Sequence, residues 1–306
     1  MLQRSVKTAA CSALNRRSAL KLLVLYSLAF SSTLLADSEQ IRAGFSSFGL
    51  GLNSIDYEEN STRVVAGRAV DVETDSMVNV AQQSGTYVSF NHDWGFYLFS
   101  SSTLGESTAE ESWEIDDLAI RTNKVSFEQQ RIAFLLSRRL KRNRYLLFGA
   151  QYGNTEFRRF GAALTPSAAQ FNLTEDLLNQ GTESETAYDI TFAIGFEVTS
   201  LFIDPEPGWR YQIRGVLGLP VFTNISNTEV NDGESFTDGF NGFTGQLNFA
   251  YGYQLNANVF ASAFIDLAVS RRNSIDRQVS DDFGITEFPD NTSVYIYPGL
   301  ALYWSY

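Results

Sequence analysis

The sequence predicts an all-β fold, a transmembrane antiparallel up-and-down β-barrel of about ten strands. Three observations predict it. Apolar residues recur with period two rather than 3.6 from Ile41 onward. The apolar face of these runs ends in aromatic pairs such as Trp209 and Tyr211, Tyr251 and Tyr253, or Trp304 and Tyr306, while the opposite face carries charged and amide side chains in mid-strand. Aromatic girdles around an apolar band are what a lipid-facing wall requires, with the polar face turned to a lumen. Short turns also alternate with connections of about twenty residues, as in a barrel with tight turns on one side of the membrane and long loops on the other.

The first element is not part of the barrel. Arg4, Lys7, Arg16, Arg17 and Lys21 precede the apolar run 22–30, and the small-residue stretch SSTLLA ends at Ala36. The run is about half the length of a membrane-spanning helix, so residues 1–36 read as a cleaved signal peptide and 37–306 as one barrel domain. NRRSALK (15–21) is a partial twin-arginine pattern with Ala19 at a normally bulky position. The apolar run and an unfolded barrel cargo favour the general secretion route instead. Cys11 precedes the apolar run, which argues against a lipoprotein anchor. As it is the single cysteine, disulfide and thiol chemistry in the mature chain are excluded.

Hydrophobic residues make up 44% of the chain, yet mean hydropathy is −0.14, which excludes a helical membrane protein. The first 36 residues hold five basic and no acidic residues, so their removal takes the net charge from −12 to −17. That balance disfavours nucleic-acid partners, whose phosphates need a basic patch.

The alternation places strands at about 40–56, 78–90, 94–103, 123–138, 144–158, 186–201, 208–222, 240–254, 257–271 and 292–306. NHD (91–93), LKRN (140–143), DPEPG (204–208) and LNA (255–257) are the short turns; the long connections are 57–77, 104–122, 159–185, 223–239 and 272–291. The stretch RVVAGRAVDVETDSMVNV (63–80) leaves room for another hairpin, which makes twelve strands the alternative. Within 159–185, Thr165–Pro166 and Thr174 mark short helical turns, in a segment that either enters the lumen or caps the surface.

The closing segment YPGLALYWSY (297–306) carries a family resemblance. Gly299, Leu300, Leu302, Trp304 and Tyr306 resemble the terminal assembly signal of bacterial outer-membrane β-barrel proteins, with a looser likeness to solitary autotransporter-like and small porin-like barrels. The resemblance implies a Gram-negative outer membrane, with lipid and lipopolysaccharide as surroundings and the barrel-assembly machinery as a partner. It also implies that this strand closes the barrel against the first one.

The chain is not expected to be an enzyme, and no cofactor or metal is expected. Enzymes of this architecture place a His beside an Asp or Ser near the outer surface. The single histidine, His92, falls in the NHD turn on the periplasmic side, and the phospholipase-like pattern fails at Trp94. Glu110, Glu111, Glu114, Asp116, Asp117, Asp281 and Asp282 form acidic loops without the spacing of a calcium loop. Solvation is one reading of them, and joining the divalent lattice of lipopolysaccharide is the other.

More specific to the architecture is an inward charge network of Arg131, Asp189, Glu197, Arg210, Arg214 and Asp266, with Gln212, Gln246 and Asn248. Arg210, Gln212 and Arg214 are expected opposite Thr199, Glu197 and Gly195, which brings Glu197 to an arginine. Phe260, Phe264, Tyr295, Tyr297 and Tyr303 point inward with them, and a barrel of about ten strands is only slightly wider than one that side chains can fill. The network therefore reads as a plug, with a structural or surface-interaction role for the protein. A narrow path for small solutes is the alternative. The surface ligand is not legible.

Overall fold

A computed structural model describes residues 44–65, 68–174, 181–228, 235–280 and 284–306; the expected signal peptide, Asp281 and Asp282 lie outside them. Its strands are β1 (Phe45–Val65), β2 (Arg68–Thr74), β3 (Met77–Ser89), β4 (Trp94–Leu104), β5 (Thr108–Ile115), β6 (Leu118–Lys141), β7 (Arg144–Leu164), β8 (Glu183–Thr199), β9 (Gly208–Asn227), β10 (Ser235–Asp238), β11 (Phe243–Asn256), β12 (Val259–Arg272), β13 (Ile275–Ser280), β14 (Gly284–Phe288) and β15 (Asp290–Ser305). The antiparallel ring runs β1-β3-β4-β6-β7-β8-β9-β11-β12-β15, ten strands, and β15 pairs back onto β1. Closure leaves no edge, so every wall strand satisfies its backbone groups without water, as a lipid-embedded sheet must.

Strand parity follows the expected faces. On β15, Leu300, Leu302 and Trp304 are exposed, as is Tyr306 just beyond it, while Tyr295, Tyr297, Ala301 and Tyr303 are buried in the lumen. Trp209 stacks on Tyr251 at 5.1 Å and meets Tyr253 edge-on at 5.5 Å, forming part of the aromatic girdle at the short-turn end.

The long connections differ from the expectation, because much of their length is strand. β1 continues to Val65 and turns back through β2, β5 pairs with both β2 and β6, and β6 begins at Leu118. The extra hairpin suspected in 63–80 exists, but β2 prolongs the line of β3 above a break at 75–76, so it adds height rather than strand number. The physical reason is that the alternation does not stop at the membrane: Val70, Val72, Ile115 and Ile120 still have an inner face to bury. Asp116 and Asp117, read as loop acids, form the β5–β6 turn with φ of 52° and 63°, a conformation that Asp tolerates better than most residues. At 21 residues, β1 is about 70 Å long; tilted by about 40° it stands about 50 Å tall, twice the apolar band.

Segment 159–185 likewise begins as strand, with β7 running to Leu164. A 3-10 helix follows at Pro166–Phe171, opened by proline and closed by Asn172 at φ 56°. Its Ala168 packs with Val70, Val72, Ile115 and Ile120, on the inner face of the protruding β2–β5–β6 wall. β13 and β14 form a separate hairpin within 272–291, and Ile275 and Phe288 pack with Ile225 and Phe236.

Candidate functional site

The lumen is filled in layers, and the chemistry lies in two polar layers between apolar ones. At the short-turn end Phe45, Tyr87, Tyr97, Phe202, Phe260 and Tyr303 form a continuous aromatic cluster, with ring centroids 4.6–6.3 Å apart. Phe202 arrives from the β8–β9 turn, where Leu201, Phe202 and Ile203 are all buried. Because these residues tuck inward, the turn spans 200–207 rather than DPEPG alone. The register moves with it: Glu197 faces Arg214 and Thr199 faces Gln212, not the offsets expected from sequence.

Glu197 is fully buried above this cluster and accepts hydrogen bonds from the Tyr97 hydroxyl at 2.6 Å and from Gln212 Nε2 at 3.1 Å. Arg214 lies over the Phe99 ring at 3.7 Å. Arg210 turns away to the rim at the short-turn end, donating to Gln254 Oε1 at 3.3 Å and to the Glu206 carbonyl at 2.7 Å. Higher up, Gln246 Nε2 donates to Asp266 Oδ2 at 2.7 Å, Thr191 Oγ1 donates to Asp189 Oδ1 at 3.2 Å, and Arg131 stacks on Tyr295 at 4.7 Å. Three small cavities of about 90, 30 and 50 Å³ run through this level, all lined by Arg131 and Gln246. Asp266 Oδ1, Arg214 Nη1 and Asn53 Oδ1 are buried at their walls without a hydrogen-bond partner from the protein. The six residues expected to form one inward network are thus divided: Arg131, Asp189, Asp266 and Arg214 surround the cavities, Glu197 belongs to the tyrosine layer below, and Arg210 to the rim.

The second polar layer stands above the apolar band and was missed in the sequence. Arg159 is buried and donates through Nε to Glu111 Oε1 at 2.9 Å and through Nη2 to Glu59 Oε2 at 2.8 Å. Glu111 also accepts from Asn123 Nδ2 and Trp113 Nε1, each at 2.9 Å, and Glu59 from the Tyr57 hydroxyl at 2.9 Å. Arg272 and Glu185 pair at 2.9 Å beside them. Burial pushes the Glu59 carboxyl up, aided by Glu185 and Glu111 and only partly opposed by Arg159. Burial acts on Glu111 too, but the Arg159 charge and the hydrogen bonds from Asn123, Trp113 and Arg159 outweigh it, so that carboxyl is held below its ordinary range. Parity was the available signal, since Glu111 shares a face with Trp113 and Ile115. The other expected loop acids do not join it: Glu110 is exposed, and Asp116 and Asp117 form the turn.

His92 sits in the β3–β4 turn, its Nδ1 3.4 Å from Asp93 Oδ1 and its Nε2 3.5 Å from Arg139 Nη1. That places it at the opposite end of the barrel from the Arg159 layer.

No protein-family model and no curated protein sequence matches the chain. Among solved structures it resembles the outer-membrane protease OmpT of Escherichia coli, with a TM-score of 0.62 and 10% identity over 90% of this chain and all of that one. The translocator domain of the autotransporter NalP from Neisseria meningitidis matches at TM-score 0.33 and 11% identity, covering 98% of each chain. OprG from Pseudomonas aeruginosa matches at 0.33 and 11%, covering 88% of this chain and 100% of that one. At 0.33 these two carry no argument, and the first is a likeness of fold alone, a scaffold on which unrelated functions are built. By its fold, then, the chain is a ten-stranded transmembrane β-barrel of the outer-membrane kind.

Proposed function

We propose that this protein is a closed barrel of the Gram-negative outer membrane, exported on residues 1–36, whose filled lumen is structural and whose tall extracellular end meets a surface partner. The observation that carries the reading is the periplasmic aromatic layer with Leu201, Phe202 and Ile203 folded into it, which stops the lumen below the cavities. The buried Arg159 layer fills the interior at the opposite end. No catalytic role is included, since the one histidine lies in a periplasmic turn. The assembly machinery is the partner we assign to Gly299, Leu300, Leu302 and Trp304 of β15 and to Tyr306 after it.

A second reading, a narrow channel for small solutes, is favoured by the three cavities that share Arg131 and Gln246. Planar-bilayer recording separates the two. The closed reading expects no steady conductance from the wild-type protein. It also expects Glu197→Ala to lower thermal stability, by about 1–3 kcal/mol for each buried donor left without its acceptor. A steady open state whose conductance changes in Arg214→Ala would overturn the closed reading.

A further inference from the structure

We propose that the β6–β7 turn and the strand ends flanking it form a binding site for an anionic glycerophospholipid of the periplasmic leaflet. This rests on the transmembrane fold, not on the closed lumen or on what the extracellular end contacts. Five basic residues, Arg138, Arg139, Lys141, Arg142 and Arg144, fall within the seven positions 138–144 of a chain whose net charge is −12. The other short turns do not share this character: 90–93 carries His92 and Asp93, 200–207 contributes Asp204 and Glu206, and 255–258 has no charge.

Parity puts part of the cluster on the lipid-facing wall. Leu135 and Ser137 point into the lumen, so Phe134, Leu136, Arg138 and Leu140 point outward; on β7, Tyr145 and Leu147 point inward and Arg144 outward. Arg144 pairs across the turn with Lys141. Arg138 lies over the Trp94 ring at 5.6 Å, and Trp94 meets Phe148 edge-on at 5.9 Å. An apolar wall of Phe134, Leu136 and Phe148 therefore descends to an indole and then to outward guanidinium groups, with Leu140 60% exposed beside them.

This order matches a phospholipid from chain to headgroup. Acyl chains lie on the aliphatic and aromatic wall, an indole sits at the interface, and guanidinium forks and an ammonium take phosphodiester oxygens. Among the described residues Arg138, Lys141 and Arg144 have no carboxylate at ion-pair distance. In contrast, Arg158, Arg159, Arg271 and Arg272 at the other end are each paired with Glu or Asp. Cations left available at an interface are placed to meet anions from the membrane.

The test uses the full-length barrel in nanodiscs of phosphatidylcholine containing phosphatidylglycerol, with the lipids retained after release counted by native mass spectrometry. Wild type is expected to retain phosphatidylglycerol over phosphatidylcholine. The variant Arg138→Gln/Lys141→Gln/Arg144→Gln should lose at least about tenfold of that preference, since each basic residue near an anionic surface contributes about fivefold. Raising the salt concentration should weaken the wild type alone. Equal retention by a triple variant that keeps heat-modifiable migration overturns the proposal. Should the triple variant fail to fold, Arg138→Gln and Arg144→Gln are measured singly, and unchanged retention in both overturns it equally. Sedimentation with purified peptidoglycan sacculi is the second arm: binding lost in the variant while lipid retention stays unchanged would assign the cluster to cell-wall polymer and refute the lipid site.

Discussion

Deleting Trp304, Ser305 and Tyr306 is expected to leave no folded barrel. These residues close the ring at its periplasmic end: Ser305 pairs with Phe45, and Trp304 with Ser46 on one side and Val259 on the other. The Tyr306 amide donates to the Gly44 carbonyl at 3.1 Å and its hydroxyl to the Tyr87 carbonyl at 3.2 Å, and the Ser305 amide donates to the Asn258 carbonyl at 2.8 Å. Without them the lower ends of β1 and β12 carry unpaired backbone groups at a lipid interface, each costing several kcal/mol. Electrophoresis without boiling reads the outcome. The truncated chain should migrate as unfolded, and migration like the full-length barrel would refute the closure argument. Trp304→Ala/Tyr306→Ala, which keeps the backbone, separates ladder closure from aromatic recognition. If it folds in detergent but fails to assemble in cells, the side chains act on the assembly machinery.

The second large effect is expected at Arg159. In Arg159→Ala the carboxylates of Glu59 and Glu111 remain buried without their shared guanidinium, and loss of one partner from such a cluster costs about 3–5 kcal/mol. Denaturant unfolding of the barrel in detergent measures it, and a loss under about 1 kcal/mol would mean that water reaches the layer. The two carboxyls also respond to pH in opposite senses. The lowered Glu111 contributes stability above its unfolded pKa, about 4.3, which is lost as pH falls through its folded value. The raised Glu59 contributes stability below about 4.3, lost as pH rises through its folded value. The two windows adjoin at about pH 4.3, so Glu59→Gln should remove the gain in stability that the wild type shows as pH falls toward about 4.3, and Glu111→Gln should reduce the loss below it. Identical acid profiles for both variants would contradict this assignment.

The division between what was legible and what was not follows from range. Period-two alternation is local, and one lipid-facing parity must be kept along each strand, so the ten-strand count and the outward placement of Leu300, Leu302 and Trp304 were readable from the sequence. Turn length is local too, but register is not. The burial of Leu201–Ile203 moved Glu197 opposite Arg214, and only the packed aromatic layer decided that they would be buried. The height of the barrel escaped for a related reason: beyond the membrane the outer face turns polar, and a strand such as β5, with Glu110, Glu111 and Glu114, reads as an acidic loop once its outer residues no longer have to be apolar. The Arg159 layer was least legible of all. Glu59, Glu111 and Arg159 are separated by about fifty residues or more in the chain, and any of them alone reads as a solvated charge. Local alternation alone was enough for a barrel of ten strands and for the outward or inward face of most wall-strand residues. The tertiary structure alone decided which inward charges meet, because pairing depends on register between strands distant in the chain.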